Sequence, residues 1–397
     1  MKRLPQDRRP NAYHLVEAEG LAYAREDPDA GADGRPYWHE DAAYEFTEAQ
    51  IDRLEQVTLD LHEMSMHATR WMAHDEPTLR RLGVPEYAWK PLRHSLAEDQ
   101  SLYGRFDLIW DGESHPSLLE YNADTPAGLV EAAVTQWSWL ETVHPHRDQW
   151  NLLHERLVQA WQQRIQPGER VHLTGGEQEP IEDWNTIAYL ADTVVEAGGV
   201  PVVLPIERIG RVGGSSVLVD EDDVPLRTCF KMYPWEWMLA EDFGPAAVTS
   251  ETRWCEPLFK VLTGSKALLA VLWELYPDHP NLLPAYWDAD RLGPDRVAKP
   301  VYGWEGAGIR ITRGEQVTAS PLQHTAGQPV VHQKYREIPA FDGARPVLGT
   351  WVINGHPAGL GIRESDHLIT DTNARFLPHY IDAPRSAPEA VADWLRE

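Results

Sequence analysis

Residues 104–124 read GRFDLIWDGESHPSLLEYNAD. Two apolar runs, 106–110 and 118–121, flank a turn rich in Asp, Gly, Ser and Pro, which predicts a β-hairpin. Side chains alternate faces along a strand, so Arg105 and Asp107 share one face, as do Glu120, Asn122 and Asp124. A hairpin folded symmetrically about its turn sets Asp107 opposite Glu120 and Arg105 opposite Asn122, and opposed residues point the same way. A slip of one residue would scatter the set over both faces. Two facing carboxylates repel unless a cation or proton lies between them, and hard oxygen ligands of this kind suit Mg²⁺. Polar alternation is equally the mark of a strand with one face in water. Spacing alone leaves both readings open.

Working outward from the hairpin, residues 47–74 predict one long amphipathic helix, with Thr47 as N-cap and Ile51, Leu54, Val57, Leu61 and Met64 at helical spacing. Its His62-Glu63 and His67 have the spacing HExxxH, which sets the two imidazoles apart around the helix and does not make a zinc site. Residues 75–100 read as helix punctuated by Pro85 and Pro91. After the hairpin, a helix is expected from Thr125 and Pro126 onward, its free N–H groups beside the acidic hairpin. Residues 150–166 continue helical. Residues 171–209 read strand, loop, helix, strand, a β-α-β unit with its helix over 186–197 and with Glu182 and Asp183 in the loop before it. Such a loop could meet an ammonium group or simply face water. Further on, Lys231 sits inside an apolar strand over 228–233, and Ser265 is the expected N-cap of a helix whose first residue is Lys266. Residues 295–313 predict strand, glycine loop, strand, with Lys299 near the end of the first strand. Gly303, Gly306 and Gly308 let backbone N–H groups approach a ligand. Neither GxGxxG before a helix nor GxxxxGK[ST] is present. Three strands follow over 328–363, with Arg363 at the polar end of the last.

Strands interleaved with helices, then a run of strands, predict a mixed α/β to α+β fold. At 397 residues the chain is long for one simple domain. We expect an N-terminal helical part (1–100), the metal-site hairpin and its helices (101–170), an α/β subdomain (171–255) and a nucleotide-binding part with a glycine lid (256–397). A net charge of −26 argues against a nucleic-acid surface; it is the mark of an ordinary acidic surface or of one that attracts a cationic substrate such as a polyamine. Two distant cysteines, Cys229 and Cys255, give neither a disulfide framework nor a zinc spacing and fit a reducing compartment. No apolar run of membrane length and no signal-peptide pattern occur, so a cytoplasmic, membrane-free protein is expected.

Several motifs in order complete the reading: RFDLIWDG, SLLEYNADTPAGLVEAAVTQWSW, HLTGGEQEPIEDW, FKMYPWEWM, SKALLAVLWELYP, VAKPVYGWEGAGI and GIRE. Together they resemble the glutathionylspermidine synthase family, circularly permuted ATP-grasp amide ligases, over nearly the whole chain. The family's separate amidase domain has no counterpart in these motifs, so a stand-alone synthetase module is expected. The resemblance implies ATP and Mg²⁺ as cofactors, with Asp107, Glu120 and Asn122 as metal ligands. It implies that Arg105 steadies the transferring phosphoryl group and the acyl phosphate. Lys266, Lys299, Glu305, Gly306 and Arg363 become nucleotide-binding residues. Lys231 and Thr125 fall to the acid substrate, and Glu182 and Asp183 to the amine. Where the family's characterised enzymes carry serines that hold glutathione, this chain has Thr125 and Ala127, and only the first retains a hydroxyl. The implied reaction joins a peptide or amino acid, as acid, to a polyamine or amino acid, as amine. The alternatives are an ATP-grasp phosphotransferase without an amine acceptor and a non-catalytic nucleotide-binding protein. The oligomeric state is not readable from the sequence.

Overall fold

The structure, a computed structural model, describes residues 1–21 and 36–384. The sequence further predicts a short element over 13–24, of which residues 22–24 lie outside the described residues, and a short helix in the polar C-terminal segment, most of which lies outside them.

The hairpin is the edge of a five-stranded antiparallel sheet. Its strand order is Arg375–Leu377, His356–Ser365, Arg345–Ile353, Tyr103–Ile109 and Ser117–Asn122. Tyr103–Ile109 is buried along its whole length, because both faces of the sheet are covered. On one side lies the helix Glu48–His74, which meets the strands Arg345–Ile353 and His356–Ser365. The apolar stripe named in the sequence, from Ile51 to Met64, is buried there. Thr47 caps that helix in a reciprocal capping box with Gln50, a motif that satisfies two otherwise orphaned N–H groups.

Two further sheets flank this core. One is a parallel sheet in the order Arg253–Cys255, Thr228–Met232, Arg170–Gly175, Val200–Pro205. The β-α-β unit read at 171–209 supplies its middle and edge. The other is antiparallel and carries Arg296–Pro300 and Arg310–Arg313 on either side of the glycine loop, with Val330–Lys334 alongside. The central sheet draws on residues 103–122 and 345–377 together, so the stretches 101–170 and 256–397 share one sheet.

Three local expectations are corrected. No helix starts at Thr125 and Pro126: Gly128 has φ +83°, outside the helical region, and the π-helical turn Glu131–Thr135 and the α-helix Gln136–Val143 follow it. The helix of the β-α-β unit begins earlier, at Ile181–Glu196, directly after Pro180, which places Glu182 and Asp183 in its first turn rather than in a loop. Ser265 is not an N-cap. Its hydroxyl donates to the Leu262 carbonyl at 2.8 Å, and Lys266 occupies the cap position of the helix Ala267–Leu275.

Candidate functional site

The hairpin register pairs Arg105 with Asn122 and Asp107 with Glu120. A β-bulge follows: Leu108 pairs with Leu118, which leaves Leu119 out of the ladder. The Leu119 carbonyl is taken up by the Lys299 ammonium at 2.8 Å. A defect in the hairpin thus docks the strand that carries Lys299.

Asp107 is the most heavily contacted group on this face. It accepts from Arg105 Nε at 2.7 Å and Nη2 at 3.1 Å, from Asn122 Nδ2 at 3.1 Å and from Arg363 Nη2 at 2.7 Å. Arg105 can lie flat across the sheet because the residue opposite Asp107 on the next strand is Gly349; a Cβ there would stand 2.8 Å from Arg105 Cδ. Arg105 also donates to the Ala127 carbonyl and lies over the Trp351 ring. It is 7% exposed. Arg105 therefore stands behind Asp107, and of the two guanidiniums on that carboxylate it is Arg363 that reaches the open side.

The open side is a cleft of about 940 Å³, part of it solvent-exposed, between the central sheet and the antiparallel sheet with the glycine loop. Six cationic side chains, Lys266, Lys299, Lys334, Arg336, Arg345 and Arg363, line it against three acidic ones, Asp107, Glu120 and Glu305. In a chain of net charge −26 this wall is positive. Ile109, Leu119, Val297 and Ile311 line it as well. Lys266 Nζ lies 3.2 Å from Glu120 and donates to the Gly303 carbonyl of the glycine loop at 2.5 Å. Burial would raise the Glu120 carboxyl, but Lys266 and Lys299 outweigh it and hold the group down at about 2. Lys299 is pushed down to about 8 by burial, against the pull of Glu120. The loop is pinned from outside: Trp304 stacks on His324 at 3.6 Å between centroids and meets Trp237 edge-on at 5.3 Å.

Glu182 and Asp183 lie in an acidic group: Glu131 and Glu305 act by charge on Glu182, and Glu179 and Glu305 on Asp183. Burial first, then Glu131 and Asp183, push Glu182 up to about 8. Asp183 rises to about 7 through burial, Glu179 and Glu305. Arg363 opposes the shift in Glu182, so this acidic group borders the positive cleft. Glu131 was not singled out in the sequence. It sits at the start of the π-helical turn, a distortion frequent at functional sites, and periodicity gives no sign of it.

Lys231 lies in the middle of the parallel sheet. Its ammonium is wholly buried, 2.6 Å from Asp124 and 2.9 Å from the Tyr233 carbonyl. It holds Asp124, a residue of a second cavity whose wall also includes Thr125 and Asn122.

A family model described as "Glutathionylspermidine synthase preATP-grasp" matches residues 3–382. The chain belongs to this family. As a member it is an enzyme of the carbon–nitrogen ligase class. A Haemophilus influenzae protein provisionally named an acid–amine ligase is 39% identical over 368 residues, covering 88% of this chain and 92% of its own length. The trypanothione synthetase of Crithidia fasciculata is 28% identical, over 80% of this chain and 53% of that protein. The bifunctional glutathionylspermidine synthetase/amidase of Escherichia coli is 25% identical, over 82% of this chain and 57% of that protein. The chain thus spans little more than half of these two longer relatives. Among solved structures, a glutathione synthetase-like effector from Globodera pallida in apo form superposes with a TM-score of 0.54 at 12% identity, covering 95% of this chain and 100% of that one. That similarity is one of fold. Among the described residues, no helix is long and apolar enough to cross a membrane.

Proposed function

We propose that the protein is an ATP- and Mg²⁺-dependent acid–amine ligase that forms an amide through an acyl phosphate. The observation that carries this is the positive cleft beside the opposed carboxylates Asp107 and Glu120. Its cations suit a triphosphate and its aliphatic side chains a purine.

The donor set fits Mg²⁺. Among the described residues no three His, Cys, Asp or Glu side chains converge into a full cage. Two carboxylates and an amide make the partial set that Mg²⁺ completes with phosphate and water. Asp107, Glu120 and Asn122 would hold it, and it would supply charge neutralisation at the phosphates.

Lys266, Lys299 and Arg363 bind and orient the triphosphate. The acid's carboxylate oxygen attacks the γ-phosphorus, the bond to the β-phosphate oxygen breaks, and ADP leaves. The amine nitrogen then attacks the acyl carbon; inorganic phosphate leaves, and the nitrogen gives up a proton. Arg105 holds Asp107 in place through two hydrogen bonds. The loop over residues 303–308, held by Lys266 and by the Trp304 stack, keeps water from the acyl phosphate. Glu131, Glu182 and Asp183 attract the polycationic amine.

The test is product analysis with ATP, Mg²⁺, a panel of amino acids and short peptides as acids, and polyamines or amino acids as amines. A new amide formed together with ADP and phosphate supports the reading. ADP with a phosphorylated acid and no amide would replace it with a phosphotransferase.

A further inference from the structure

Residues 37–39 run beside the edge strand of the central sheet, Arg375–Leu377. Trp38 bridges to Phe376 in parallel, the Tyr37 carbonyl accepts from the Phe376 N–H at 2.7 Å, and the His39 N–H donates to the Phe376 carbonyl at 2.9 Å. The Trp38 and Phe376 rings stack at 5.9 Å. A buried ion pair fixes the segment as well. Glu40 accepts from Arg9 Nη2 at 2.7 Å, from Arg9 Nε at 3.0 Å and from Trp38 Nε1 at 2.7 Å. Arg9 also donates at 3.2 Å to Ser138, on the helix Gln136–Val143 that follows the π-helical turn. The backbone at residue 37 is therefore tied both to the central sheet and to that helix.

This anchoring delivers a phenol to the acidic group. The Tyr37 hydroxyl donates to Glu131 Oε1 at 2.5 Å, the length of a strong hydrogen bond to a charged acceptor. It also feels the charges of Glu182 and Arg363, and Arg105 feels it in turn. Tyr37 stands where the acidic group meets the two guanidiniums on Asp107. Burial first, then Glu131 and Glu182, hold the ionisation of the phenol well above its ordinary range, so the group stays a donor. A neutral donor orients a carboxylate without cancelling its charge, which a lysine or arginine in its place would do.

Resting on the ligase reading above, we infer that Tyr37 is a positioning residue for the amine substrate. Its hydroxyl fixes the Glu131 carboxylate, so that an ammonium group of a polyamine meets a carboxylate already oriented and still charged. Tyr37 acts through Glu131. Ordering a binding group before its ligand arrives removes part of the entropic cost of association. Without the hydroxyl, Glu131 keeps its charge but is free to turn, and the amine is held less well.

The experiment is calorimetric titration with spermidine, in the presence of Mg²⁺ and a non-hydrolysable ATP analogue, of the wild type, Tyr37→Phe, Glu131→Gln and the double variant, each checked for fold by circular dichroism. Tyr37→Phe should weaken spermidine about 10-fold or more, the worth of a hydrogen bond to a charged group. Glu131→Gln should weaken it at least as much, and the double variant no more than Glu131→Gln alone. Affinity for the analogue should not change in any of them. In turnover, the loss in Tyr37→Phe should fall on KM for the amine, with kcat at saturating amine kept. A hydroxyl needed only for the fold would cost the analogue as much as the amine. Unchanged spermidine affinity in either single variant, a further loss in the double variant, an equal loss for the analogue, or no spermidine binding by the wild type overturns the inference. The outcome is separable from that of the ligase reading. Amide formation by the wild type together with any of those results removes only the role of Tyr37. The expected affinities without amide formation from any pair keep Tyr37 at an ammonium site and remove the ligase reading.

Discussion

Arg363 donates to Asp107 at 2.7 Å across 256 residues of chain, on the same face of the sheet as Arg105. Asp107 is the counter-charge for both guanidiniums, and Arg105 is almost wholly buried. Removing Asp107 leaves two cations facing each other. Asp107→Ala should therefore cost about 3–5 kcal/mol of stability as well as turnover, read by urea unfolding. An unfolding midpoint equal to that of the wild type would contradict the shared-counter-charge account.

Glu120 gives the cleaner test of metal binding, since it is less enclosed than Asp107. Glu120→Gln should retain the fold by circular dichroism and lose at least about 100-fold in Mg²⁺-dependent ATP turnover, the scale of removing one electrostatic stabiliser. Full turnover in the folded variant would remove Glu120 from the metal set.

Lys231 and Asp124 form a buried pair. Lys231→Met alone should destabilise by about 3–5 kcal/mol because it strands Asp124, and Lys231→Met with Asp124→Asn should recover much of that. Additive losses in the double variant, measured by denaturant titration, would argue that the two residues act separately.

The acidic group makes stability fall with rising pH. Glu182 and Asp183 bind their protons more tightly in the folded protein, at about 8 and about 7, than in the unfolded chain. The folded state holds that advantage at low pH and loses it as pH climbs from the ordinary carboxylate range through about 8. Between pH 6 and 9 the melting temperature should drop. Glu182→Gln should flatten the drop, and spermidine should offset it at pH 9. A wild-type profile that rises over this window would contradict the assignment.

Gly306 has φ +71°, and a Cβ there would lie 2.8 Å from Ile369 Cγ2 and 3.0 Å from the Thr370 carbonyl. Gly306→Ala should stop the loop from seating. ATP would still bind, but more phosphate would be released per amide formed, as water reaches the acyl phosphate. An unchanged ratio of phosphate to amide would show that the loop does not shield the intermediate.

Much of the hairpin was legible because its alternation and its short turn allow few registers. The opposed pairs Asp107–Glu120 and Arg105–Asn122 follow from that pattern. The bulge at Leu119 does not, since an extra residue in an apolar run leaves no mark in the alternation. The long helix was legible from period and cap together. The early start of the Ile181–Glu196 helix was obscured by its acidic first turn, which reads as loop although acidic residues are favourable at a helix N-terminus. The pairing of Lys231 with Asp124 was not legible, because the two are 107 positions apart. Ion pairs between distant segments are invisible to spacing, and so are the π-helical turn that carries Glu131 and the aromatic stack that pins the loop.

The central sheet has a consequence for how the protein is made. The ribosome finishes the hairpin with most of the chain still to be synthesised, and the strands that pair with Tyr103–Ile109 and deliver Arg363 come from residues 345–377. Until then the nascent chain holds Arg105 and Asp107 on an unpaired strand edge, a surface open to wrong pairing. Products ending before those strands would lack the sheet that frames the cleft. They would be prey for proteases rather than partial ligases.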